Sequence, residues 1–191
     1  MERREEFMFA RTRHPFDIQL ALGFDKSGKI INLAADILTD TGAYGGHSST
    51  VAELAAMRIM SLYPPKNINI SIKTVYTNKT PAGAFRGYGE PQIMFALESL
   101  IDEAAKKLSL NPAELRSMNH VKPGDYMQVE TLFIKPFPKG ERINTCELGQ
   151  LIAKGRQIIE FDKRRQPAKP HISTGKGMAI SMQGSGIANI T

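Results

Sequence analysis

The chemistry in this sequence concentrates in one short stretch, AGAFRGYGEPQ, where Gly83, Gly87 and Gly89 are interleaved with Phe85, Arg86 and Tyr88. Glycines permit positive φ and close backbone approach. A helix beginning just after them points unpaired N–H groups and a partial positive charge into the same space. Such a loop favours an anionic or electron-rich ligand, with Phe85 and Tyr88 as flat walls and Arg86 contributing a cation or a backbone amide. The competing reading is structural: a tight turn, a core phenylalanine and an arginine bridging a carboxylate. Dinucleotide and Walker loops are not matched, because GAFRGYG lacks the G-x-G-x-x-G spacing and no terminal Lys-Ser/Thr follows.

Other reactive side chains are scattered. His14, His47, His120 and His171 show no HxxxH or His-carboxylate spacing, so no protein-ligated metal is predicted. His14 is expected to hydrogen-bond near the start of a hairpin. His47, in a glycine-rich turn before a helix, is the histidine placed to line a site. Glu53 is positioned either to touch substrate or to sit on a solvated helix face. Cys146 has no base nearby in sequence and reads as a small buried side chain. Asp102 and Glu103 read as exposed charges followed by Lys106 and Lys107 at helical spacing, and the nine methionines as core filler.

The elements that must hold this loop are legible from periodicity. The pattern is extended from Phe7 to Ala43; Phe16, Ile18, Leu20 and Leu22 alternate, and Asp25-Lys26-Ser27-Gly28 then marks a turn before Ile30, Ile31 and Leu33. That is a hairpin. Ser48, Ser49 and Thr50 are N-cap candidates for a helix over Val51 to Leu62, which Pro64-Pro65 stops. Alternating Ile68, Ile70 and Ile72 predict a strand over Asn67 to Tyr76. Pro91 suits the first turn of a helix reaching Leu108, and Asn111-Pro112 starts another. An irregular crossing over 123–140 leads to a helix near Cys146 to Arg164, and GKGMAISM reads as a strand running into a final Gly/Ser turn. A chain stopping within such a pattern is expected to be a piece of something longer. The fold class is α+β, an antiparallel or mixed sheet packed with helices in two layers. One unit spans 1–125, and 126–191 begins a second, incomplete one.

The 191 residues are 41% hydrophobic, enough for a real core, and the net charge of +6 is spread along the chain among Asp and Glu. Without a basic cluster or recognition motif, no nucleic-acid partner is predicted. One cysteine excludes an internal disulfide and any all-cysteine cluster built by this chain alone, which fits a reducing cytoplasmic setting. No apolar run reaches the about 18 residues of a membrane span.

AFRGYGEPQ resembles the AFRGFGxPQ signature of the xanthine dehydrogenase and aldehyde oxidase family, the molybdenum hydroxylases, in their molybdopterin-binding subunit. Three further segments resemble that family in the expected order: RTRHPF at Arg11 to Phe16, DTGAYGG at Asp40 to Gly46, and LSLNPAELRSMNHVKPGD at Leu108 to Asp125. The resemblance covers roughly residues 7 to 125. It implies a cofactor of molybdenum and molybdopterin, hydroxylation beside a ring nitrogen or oxidation of an aldehyde with water-derived oxygen, and electrons passed to 2Fe-2S and FAD on partner chains or domains. It places the backbone of Phe85, Arg86 and Gly87 at the cofactor, and Tyr88, where Phe is commoner, against a small planar substrate together with Glu53.

This chain also departs from the family. The GGGFGGK loop expected upstream and the GExG glutamate base expected downstream are both absent, so the site must be completed by the remainder of the subunit. Where xanthine-oxidising relatives carry Glu-Arg, this chain has Glu53-Leu54, and leucine cannot donate to a purine oxygen. Another N-heterocycle, an aldehyde or an aromatic thioester is then expected. Cysteine, the mark of the carbon monoxide branch, is replaced here by Gly87 and Tyr88. The missing motifs also allow an alternative reading: a structural or assembly module that keeps the scaffold without the chemistry.

Overall fold

The β1 strand, Phe16–Phe24, and β2, Ile30–Asp40, form the predicted antiparallel hairpin, with Phe16 opposite Thr39 and Leu22 opposite Leu33. The computed structural model describes residues 2–127, 142–163, 169 and 171–183. Asp25 organises the hairpin turn: its Oδ1 accepts from the amides of Ser27 and Lys29 at 2.9 and 3.0 Å, and Gly28 takes φ 88°. Alternation then decides the faces. Leu33, Ala35 and Ile37 are buried, while Asn32, Asp36 and Leu38 point away from the core.

From β2 the chain crosses through helix α2, Ser48–Leu62, and returns as β3, Asn67–Val75, which pairs parallel to β2 with Ala35 opposite Ile70. The sheet is therefore mixed, in the order β1-β2-β3. Its helical layer is α2 against β2 and β3, and α3, Glu90–Leu108, against β1 and α2. Ala52, Ala55 and Ala56 are fully buried on α2, which lets it approach its neighbours closely. The expected N-cap at Ser48 is replaced by His47, because Ser48 is already inside the helix and its hydroxyl is engaged elsewhere.

Two shorter helices follow, α4, Pro112–Asn119, capped by Asn111 Oδ1 on the Ala113 amide at 2.9 Å, and α5, Leu148–Ile158. The last is shorter than the span to Arg164 that the sequence predicts. One helix was not foreseen: α1, Arg3–Phe9, ahead of the hairpin, is helical where the pattern read as extended from Phe7. It buries no residue, so no apolar periodicity marks it, and a reciprocal Glu2/Glu5 capping box supports its first turn. At the other end, 171–183 forms no strand. Met178, Ile180 and Met182 alternate as expected, but they pack on the core while the Ile180 amide donates to a Glu98 carboxylate oxygen at 3.0 Å. The Gly/Ser turn beyond and most of the predicted crossing, 128–141, lie outside the described residues.

That carboxylate belongs to a buried cluster centred on Arg116, which is wholly excluded from solvent. Its Nε donates to Glu98 Oε2 and its Nη1 to Asp102 Oδ1, both at 2.7 Å, and Tyr63 Oη donates to Glu98 Oε1 at 2.7 Å. Burial opposes charge on Arg116, but Glu98 and Asp102 outweigh it and hold the guanidinium protonated. Burial, reinforced by Glu98, pushes the Tyr63 phenol far up. Asp102 is exposed, as its spacing predicts, and is at the same time a partner of a buried cation. Three residues on, Asn119 closes α4 onto the hairpin: its Oδ1 accepts from the Ile30 amide at 2.8 Å, and its Nδ2 donates to Gly28 O at 2.9 Å.

A second buried chain lies at the opposite end of α2. His14 Nε2 and Ser48 Oγ are 2.7 Å apart, and Ser48 donates to Thr41 Oγ1 at 2.5 Å, tying the segment before β1 to the segment after β2. Burial pushes the His14 imidazole down, against weaker upward pulls from Asp40 and the Gly83 main chain.

Two outcomes are expected. Arg116→Met, which leaves Glu98 buried without its counter-charge, should cost about 3–5 kcal/mol in urea denaturation, with part recovered by adding Glu98→Met; an unchanged midpoint would refute the network's role. His14 titrates below its ordinary 6.5 in the folded state, so the unfolded chain takes up the proton first as pH falls. Stability should therefore be full above that value and decline below it, and His14→Gln should flatten this slope between about pH 5 and about pH 7.

Candidate active site at the glycine-rich loop

The loop over 82–89 is laced to the chain's other turns by main-chain hydrogen bonds. The Thr77 amide donates to Gly42 O at 3.0 Å, Ala82 to Thr41 O at 3.3 Å, and Gly83 to Thr12 O at 3.1 Å. Gly42, at φ 69°, has no room for a side chain, since a Cβ there would lie 2.6 Å from Thr80 O. The segments resembling RHPF and DxGAY are therefore the supports of the loop, joined to it strand by strand.

At its exit three consecutive residues are left-handed: Gly87 at φ 90°, Tyr88 at φ 49° and Gly89 at φ 92°. Tyr88 N donates to Phe85 O at 2.8 Å and Glu90 N to Gly87 O at 3.0 Å, which turns the chain into α3. A Cβ at Gly89 would meet Val51 O at 2.5 Å, and one at Gly87 would meet Pro91 Cδ at 2.7 Å. The close approach that requires Gly87 is thus to its own helix. By contrast, the amides of Ala84, Phe85, Arg86 and Gly87 donate to no acceptor among the described residues.

The side chains are distributed as follows. Phe85 is half exposed rather than in the core, and the Arg13 guanidinium carbon lies 4.5 Å from its ring centroid. Arg86 is exposed and forms no ion pair among the described residues, so it bridges no structural carboxylate there. Tyr88 is half buried, with Oη 2.9 Å from His47 Nδ1 and the two rings edge to face. The pairing brings His47 to the loop, as its place in the preceding turn predicts. Glu53 is half buried on α2, where burial raises its carboxyl, and it has no hydrogen-bond partner among the described residues. Helical spacing puts Leu54 on the stripe of His47 and Val51, which face the loop, while Glu53 lies one position off it.

Two residues carry more of the site than their sequence signals suggest. Gln92 donates from Nε2 to His14 O at 3.0 Å and leaves Oε1 buried without a partner; Arg13 likewise leaves Nη1 buried without an acceptor. Each lies inside a quoted segment, RTRHPF or GYGEPQ, but nothing in either type or spacing distinguishes it. Cys146 is partly buried and its thiol donates to Val121 O at 3.3 Å. A cleft of about 380 Å³ lies beside α3 against 178–181, but its polar lining, Glu98, Asp102 and Arg116, is already bonded internally. Among the described residues no three His, Cys, Asp or Glu side chains cluster to hold a metal ion.

Comparison with known proteins places the chain in a family. Residues 1–120 match the molybdopterin cofactor-binding domain family. The xanthine dehydrogenase molybdenum-binding subunit of Escherichia coli O157:H7 is 37% identical over 182 residues, covering 94% of this chain and 23% of that subunit. The solved aldehyde oxidoreductase from Desulfovibrio gigas superposes with a TM-score of 0.71 at 30% identity, over 82% of this chain and 16% of that one. Quinoline 2-oxidoreductase from Pseudomonas putida 86 does so with a TM-score of 0.67 at 26% identity, over 84% and 20%. The chain spans about a quarter or less of the length of these relatives. By sequence and by fold alike, it belongs to the molybdopterin cofactor-binding domain family and is homologous to part of the molybdenum-binding subunits of xanthine dehydrogenases and aldehyde oxidoreductases.

Proposed function

We propose that this chain supplies the cofactor- and substrate-facing loop of a molybdenum hydroxylase that oxidises an N-heterocycle or an aldehyde with oxygen derived from water. The observation that carries this reading is the run of four consecutive unpaired amides, Ala84 to Gly87, in a loop fixed on either side by the bonds of the Ala82, Gly83 and Tyr88 amides. Fixed N–H donors at a glycine-rich turn suit an anionic group, because they stabilise charge without reorganising. The orphaned donor at Arg13 Nη1 and acceptor at Gln92 Oε1 fit the same need for a bound polar group.

The molybdenum-molybdopterin group would be held on the main chain of Phe85, Arg86 and Gly87, and supplies two-electron oxidation chemistry when bound. This chain's residues then position and bind. Phe85, its rear face occupied by Arg13, presents a fixed flat edge. Tyr88 offers a second aromatic wall, which orders a planar substrate at small entropic cost. Glu53, whose carboxyl is raised by burial, is the acidic group on α2 assigned to substrate. Leu54, on the loop-facing stripe, has no donor to offer a purine oxygen, which weighs against xanthine.

The glutamate base and the rest of the cofactor cradle come from other segments of the subunit, and electrons leave to 2Fe-2S and FAD partners. We place residues 1–125 in the molybdopterin-binding-type unit and 126–191 at the start of the next. The setting is cytoplasmic; among the described residues no helix is long and apolar enough to cross a membrane.

Phe85→Ala in the full-length subunit, assembled with its electron-transfer partners, tests this reading. It removes no buried contact of the core, so molybdenum content should hold while turnover falls roughly tenfold or more. Unchanged turnover at full molybdenum loading would remove the loop from the active site.

A further inference from the structure

We propose that Tyr88 and His47 form a hydrogen-bonded pair that selects planar substrates bearing an acceptor oxygen, such as a ring carbonyl. The proposal rests on the reading that the loop faces substrate, and adds to it what the loop would recognise.

The argument begins with main-chain strain. Three non-glycine residues among those described have positive φ: Tyr88, Ser109 and Glu160. Ser109 caps α3 and Glu160 follows α5, where left-handed residues end helices routinely. Tyr88 instead stands just ahead of a helix, between two left-handed glycines, where an aromatic residue is disfavoured. The main chain delivers its ring to the half-exposed surface beside Phe85 rather than to the core.

The partner is equally fixed. His47 is the N-cap residue of α2, and the same helix brings Val51 O against Gly89 so closely that no side chain fits between them. Backbone packing therefore sets the distance between the helix start and the loop. The hydrogen bond at 2.9 Å occupies an arrangement that exists without it.

Counting protons gives the function. A neutral imidazole and a phenol share two acidic protons, and one lies between His47 Nδ1 and Tyr88 Oη. If the phenol donates inward, the imidazole proton is on Nε2 and faces outward; if Nδ1 donates inward, the phenol proton faces outward. A charged imidazole leaves both outward. Each state offers at least one free donor, and burial, by raising the Tyr88 phenol, keeps that group protonated at neutral pH. Phenylalanine at position 88 would make no such offer. Leu54, on the same helical stripe as His47, presents no polar group there, so the donor of the pair is what discriminates.

The test uses the full-length, cofactor-loaded subunit with its partners and two matched probes, quinazoline and quinazolin-4-one, with binding measured by calorimetry. The wild type should bind the oxygen-bearing ring about tenfold more tightly. Tyr88→Phe and His47→Phe should each reduce that preference, since either group alone retains one donor. The double variant, which keeps both aromatic rings, should abolish it. No preference in the wild type, or one that survives the double variant, overturns the proposal. Tyr88→Ala separates this from the underlying reading: if it leaves the binding of both probes unchanged, the loop does not face substrate at all.

Discussion

Among the described residues Arg116 is the one cation wholly excluded from solvent, and much of the architecture can be understood as its neutralisation. An isolated guanidinium at that depth would be intolerable, so Glu98 must lie opposite, Asp102 one turn further along the same helix, and the Pro112 carbonyl within reach. Those demands fix the angle of α4 on α3. Tyr63 and the Ile180 amide take the remaining lone pairs of Glu98, which brings the end of α2 and the 178–182 segment to the same point. The motif LNPAELRSMN, shared with the family, is therefore structural: Asn111 caps, Arg116 joins helices and Asn119 pins the hairpin.

The opposite end of α2 belongs to the loop. There the chain relies on main-chain contacts, with Gly89 against Val51 and Gly42 against Thr80. Side chains at these positions would separate the layers by ångströms. The result is a rigid frame around four amides that the frame itself leaves unbonded. The same helix thus ends in a polar network at Tyr63 and begins at a site at His47, so a shift of α2 along its axis would disturb both.

Much of this was legible in the sequence, and the failures have physical reasons. Period-two alternation located β1, β2 and β3, and Pro64-Pro65 and Pro91 bounded the helices, because these signals are local. The helix Arg3–Phe9 escaped because it buries nothing. The 178–182 alternation was real, but its backbone donor found a carboxylate instead of a strand, and no periodicity distinguishes the two. Asp102 is exposed as expected, but its pairing with Arg116 was hidden because the helix it pairs with begins ten residues later. In the site, Phe85 and Tyr88 stood out by type. Of their partners, His47 was marked by its place in the turn before α2 but Arg13 by nothing, and neither pairing is local: 41 residues separate His47 from Tyr88.

The parallel pairing of β2 with β3 carries a kinetic consequence. Asn32 and Asn67 are 35 residues apart in the chain yet hydrogen-bonded side by side. That ladder cannot form until the intervening helix has condensed, whereas the hairpin can close locally and early. Because the glycine-rich loop hangs from the far end of β3, it would be among the last parts to acquire its shape. A nascent subunit would thus hold a finished hairpin before it had anywhere to receive its cofactor.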